Sequence, residues 1–106
     1  MIITTTPAIS GKEITNYLGV VTGETIFAIN AVRDFFASIR DIVGGRTNSY
    51  EEVLTKARTE ALNEMQHRAE AQGADAIVGV HISYESLGGN ATMLMVCCTG
   101  TAVKLA

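Results

Sequence analysis

Tryptophan is absent from the chain, proline occurs once, and aromatic residues make up only 6% of it. Charge is also scarce: 18% of the residues are Asp, Glu, Lys or Arg, against ~25% in ordinary soluble domains. One proline in a chain that is 47% hydrophobic excludes a disordered segment. No run reaches the ~20 continuous apolar residues that cross a bilayer as a helix, so no membrane partner is expected. No basic stretch followed by an apolar one opens the chain, so a cytoplasmic rather than a secreted location is expected. Eight basic residues against eleven acidic ones leave a net charge of −3. That sign argues against a nucleic-acid partner. Two adjacent cysteines, Cys97 and Cys98, form neither a disulfide framework nor a C-x-x-C motif. Neither phosphate-binding glycine pattern, G-x-x-x-x-G-K-[ST] or G-x-G-x-x-G, occurs.

What is present is patterned. The 106 residues make one domain, 1–106, with no linker or repeat. Met1 to Thr6 is β-branched and reads as a short strand that Pro7 ends. Lys12 to Ala28 reads as a longer strand, with Gly19 and Gly23 as places for a bulge or bend. Val32, Phe35, Phe36, Ile39 and Val43 recur at helical spacing, predicting a helix over about Ala31 to Val43 with Gly44 as its stop. Leu54, Ala57, Ala61, Met65 and Ala69 mark a second helix, about Tyr50 to Gln72. Ser49 and Glu52 suit a capping box, and Gly73 suits the C-terminal stop. The alanines of its stripe allow close approach to a sheet or another helix.

Ala76 to Leu87 and Ala91 to Lys104 alternate as the arms of a β-hairpin about Gly88-Gly89. A two-residue turn there pairs Tyr84 with Met93, Ile82 with Met95 and Val80 with Cys97. Val78, Val80, Ile82, Tyr84, Met93, Met95 and Cys97 then share an apolar face for the helices to cover. The other face, with His81, Ser83, Glu85, Leu94, Val96 and Cys98, is half apolar and suits a subunit interface. The fold class is therefore α+β: a two-layer sandwich of an antiparallel sheet with two helices on one face. Low charge on so small a chain predicts a homo-oligomer that covers its surplus apolar surface with copies of itself.

The candidate site residues follow from side-chain chemistry. Arg33, Asp34, Arg40, Asp41 and Arg46 are ligand or interface candidates. Arg pairs bidentately with carboxylates, giving a salt-bridge network against a neighbouring subunit. Alternatively, Arg40, Arg46 and the Gly44-Gly45 backbone form a small-anion pocket. Cys97, Cys98 and His81 are the metal candidates. Neighbours on a strand point to opposite faces, so the two thiols clasp one ion only if an oligomer gathers copies of one of them. Ser83 between His81 and Glu85 invites a nucleophile reading. However, the ~6–7 Å between residues two apart on a strand favours a polar interface row. His67 lies off the apolar stripe of its helix and reads as a surface residue. No catalytic set emerges, which points to a non-enzymatic scaffold or binding module.

Five motifs in order carry a family resemblance: Thr4-Thr5-Thr6-Pro7; Gly19-Val20-Val21-Thr22-Gly23-Glu24; Arg33-Asp34-Phe35-Phe36-Ala37 with Ile39-Arg40-Asp41-Ile42-Val43-Gly44-Gly45-Arg46; Gly73-Ala74-Asp75-Ala76; and Met93-Leu94-Met95-Val96 with Gly100-Thr101-Ala102-Val103. Over essentially the whole chain it resembles the YbjQ-like family, a heavy-metal-binding domain by label and of uncharacterised function. The resemblance implies a dodecin-like β-α-β-β subunit and a homopentameric ring in which short extra strands help join subunits. It implies no reaction, and as cofactor at most a heavy metal ion.

Overall fold

A computed structural model describes residues 1–28, 48–87 and 93–106. The elements are β1 (Ile2–Ile3), β2 (Ile14–Ala28), α1 (Asn48–Ala71), β3 (Ala76–Leu87) and β4 (Met93–Leu105). The strands form one four-stranded sheet in the order β1-β3-β4-β2. The architecture is α+β, with α1 lying on one face of the sheet. The helix expected over about Ala31 to Val43 lies outside the described residues.

The sheet is mixed rather than purely antiparallel. β4 runs antiparallel to both β3 and β2, but β1 pairs parallel with β3, Ile2 opposite Ala76 and Ile3 opposite Ile77. The N-terminal segment continues along β3 beyond β1: the Thr4 amide donates to the Ile77 carbonyl, and the Val80 and Gly79 amides donate to the Thr4 and Thr6 carbonyls. Parallel pairing needs a long crossover, and the chain between β1 and β3 supplies one.

The hairpin forms, but its register differs from the expected one. Leu87 pairs with Met93, Tyr84 with Val96 and Ile82 with Cys98. The connection therefore spans 88–92 rather than two glycines, which shifts the pairing by three residues. An odd shift exchanges the faces of one arm relative to the other. Met93, Met95 and Cys97 thus lie on the face of His81, Ser83 and Glu85, while Val96 and Cys98 join Ile82 beneath the helix. A bulge follows Val78, where Gly79 adopts φ +61°. It returns β3 to the same side, so Ile77 and Val80 both enter the main core.

Among the described residues α1 runs from Asn48, close to the start expected near Tyr50. Its end is as expected. Gly73, at φ +78°, donates to the Glu70 carbonyl and Ala74 donates to the Ala69 carbonyl, the paired bonds of a Schellman stop. Ala57, Ala61, Met65 and Ala69 are fully buried against Val21, Ile77, Val80, Val96, Cys98 and Ala102. The helix settles on the sheet because Gly23 has no side chain: a Cβ there would stand 2.0 Å from the Ala61 carbonyl oxygen. Gly19, at φ +120°, accompanies the register irregularity expected in β2.

Candidate functional site

The face of the sheet away from α1 has two unlike ends. At one, Ala76, Val78 and Val103 form a small second core closed by Ile9, Ile14 and Leu105. At the other, β2, β4 and β3 lie side by side without a covering element among the described residues. Register places Glu24 and Ser83 on either side of Cys97, Ile26 and Glu85 on either side of Met95, and Thr22 and His81 on either side of Thr99. The uncovered face thus mixes sulfur, carboxylate and imidazole groups with exposed apolar ones. Val20 is 74% exposed, Tyr17 67% and Ile26 56%. All three belong to β2, which stands at the edge of the sheet.

Arg68 ties this edge to the helix. Its guanidinium donates to the Thr22 carbonyl at 2.8 Å and to Glu24 Oε2 at 3.2 Å, and it also bonds Glu64 one turn earlier on α1. One cation therefore serves two carboxylates and one backbone acceptor of the edge strand. Another link, Arg58 to the Tyr84 hydroxyl at 3.0 Å, joins α1 to β3.

The two thiols occupy different worlds. Cys98 is fully buried among Ala61, Met65 and their neighbours beneath the helix. Cys97 is half-buried on the uncovered face. Burial pushes the Cys97 thiol up, and the Glu24 and Glu85 carboxylates push it further. Burial also pushes Cys98 up, aided by Cys97 and only partly opposed by Arg58. Both remain free thiols. Raised thiols are poor nucleophiles and poor metal ligands near neutrality, because the thiolate is the reactive form.

The sequence candidates divide accordingly. His81, Ser83, Glu85 and Cys97 do share one face, but no hydrogen bond joins Ser83 to His81 among the described residues. His67 is exposed on α1, as expected. Arg33, Asp34, Arg40, Asp41 and Arg46 all lie outside the described residues. Sequence reasoning passed over Tyr17, Val20 and Ile26 as surface residues. Val20 and Ile26 share the parity of Thr22 and Glu24, whereas Tyr17, of the other parity, joins their face only through the register irregularity between Tyr17 and Gly19. A shallow, open depression on α1 is lined by Glu51, Glu52, Thr55 and Lys56, with no buried polar group aimed into it.

A family model described as "Putative heavy-metal-binding" matches residues 1–106, the whole chain. The chain belongs to the YbjQ_1 family. A crystal structure from Pediococcus pentosaceus, of a protein of unknown function in the DUF74 family, superposes with a TM-score of 0.59. It is 19% identical, and the match covers 100% of this chain and 98% of that one. At that identity the likeness extends to the fold.

The family description raises the question of which residues would hold a metal. Every cysteine and histidine of the chain, namely Cys97, Cys98, His67 and His81, is among the described residues. No group of three His, Cys, Asp or Glu side chains converges among those residues. The thiols leave opposite faces of β4, and His81 faces Thr99 rather than Cys97. Among the described residues, the cysteines and histidines therefore do not fit a heavy-metal chelate. Among the described residues no helix is long and apolar enough to cross a membrane.

Proposed function

We propose that the chain is a non-enzymatic, cytoplasmic binding module that works as a homo-oligomer, joined through the uncovered sheet face and the β2 edge. The observation that carries this reading is the row Tyr17, Val20 and Ile26, exposed together on an edge strand. Edge strands offer unpaired backbone groups, and stable monomers blunt them with charge, proline or bulges. Here Arg68 blunts β2 at Thr22, while the flanking Val20 and Ile26 remain apolar and open. Covering one such side chain is worth ~1.5–3 kcal/mol, so a few per copy sustain an assembly. A closed ring of five, as the family resemblance implies, would have a mass near 56 kDa from subunits of 11.3 kDa.

Replacing Val20 and Ile26 together by lysine tests the interface. Both side chains point away from α1, so the subunit should keep its circular dichroism spectrum. The assembly should sediment at a much smaller mass. A doubly substituted protein that folds and sediments like the wild type would remove this face from the interface.

A further inference from the structure

We infer that no single subunit of this chain chelates a heavy metal: Cys97 is the lone thiol of the uncovered face, and Cys98 is a packing residue of the core. The inference is independent of how many copies assemble, and it disagrees with the family description.

Thiophilic ions select thiolate ligands, and a structural site needs several of them at ~2.3 Å from one point. Thiols are few here, and the register sends the two to opposite faces; only the uncharged thioethers of Met93 and Met95, weaker donors than a thiolate, share the face of Cys97. Cys98 faces Gly23 of β2 on the helix side and is fully buried. Drawing it out would break the contact between α1 and the sheet. Cys97 faces Glu24 on one strand and Ser83 on the other. Glu24 is already engaged by Arg68. His81 and Glu85 stand diagonal to Cys97, where cross-strand neighbours are ~7–8 Å apart. Residues outside the described ranges add only two carboxylates to this inventory, Asp34 and Asp41, and no thiol or imidazole.

The test uses reduced, tag-free protein loaded with Cd2+ and then equilibrated with excess nitrilotriacetate. Retained cadmium is measured per chain in the wild type, Cys97→Ser and Cys98→Ala. The expected result is retention well below one ion per chain, with Cys98→Ala equal to the wild type. A fractional retention that Cys97→Ser abolishes supports the inference, since such an ion takes thiols from more than one chain. One ion held per chain overturns it, as does any loss of retained cadmium in Cys98→Ala. A thiol-reagent assay gives an independent check on the folded protein. In the folded Val20→Lys, Ile26→Lys protein, whose sheet face is free of other copies, Cys97 should react while Cys98 reacts only on unfolding. Equal rates for both would overturn the assignment of Cys98 to the core even if its variants fail to fold.

Discussion

Gly23→Ala should destabilise the subunit by about 3 kcal/mol, at the upper end of what overpacking usually costs. The added methyl would stand 2.0 Å from the Ala61 carbonyl oxygen and 2.8 Å from the Met65 amide nitrogen. Both are backbone atoms of α1, so no side-chain rotation relieves the clash. The helix must lift from β2, exposing Ala57, Ala61, Met65 and Ala69 together. For a domain of this size, 3 kcal/mol corresponds to a loss on the order of 10–20 °C in melting temperature. Gly100→Ala is the comparison. Its nearest neighbours are the methyls Ile77 Cγ2 at 2.6 Å and Val80 Cγ2 at 3.1 Å, buried and stiff but side-chain atoms, which give more readily than helix backbone. It should therefore cost less. Thermal denaturation of both variants checks the order. A Gly23→Ala protein that melts with the wild type would mean that α1 does not lie against β2.

Met65→Ala should cost ~2–5 kcal/mol, the range for emptying a buried large side chain. Met65 is fully buried, and the helix positions one turn to either side, Ala61 and Ala69, are too short to fill the space it leaves. Because Gly23 already holds the helix at close range, α1 has no room to collapse further onto the gap. Met65→Leu keeps most of the volume and should cost under about 1.5 kcal/mol. Denaturant titration of the pair separates the cavity from any loss of helix propensity, since Ala is the better helix former. Equal midpoints for the two variants would contradict the burial of this side chain.

These two residues show what was legible in the sequence. The spacing of Ala57, Ala61, Met65 and Ala69 identified both the helix and its buried stripe, because a 3.6-residue period has one dominant solution. The small side chains of that stripe also announced a close approach. Its counterpart, Gly23, read equally well as a bulge, since a strand glycine serves either purpose. The hairpin arms were visible in their alternation, but their register was not. Gly88, Gly89 and Asn90 accommodate more than one loop length, and alternation on both arms scores several pairings alike. That ambiguity moved Met93, Met95 and Cys97 to the wrong face. Gly79 was a missed signal: an isolated glycine inside a strand marks a bulge, and here the bulge decides which β3 residues enter the core. The bond between Arg68 and Glu24 joins residues 44 positions apart, which no local pattern encodes. Of the candidate site, the row of His81, Ser83 and Glu85 was readable. The apolar members on β2 were not, because their exposure depends on β2 standing at the sheet edge.

The central claim is that the uncovered face is filled by further copies of the chain. Multi-angle light scattering of tag-free protein at micromolar concentration tests it most directly. The account predicts a single species several times the 11.3 kDa of one chain, near 56 kDa for a ring of five. A folded, stable 11.3 kDa monomer would contradict it.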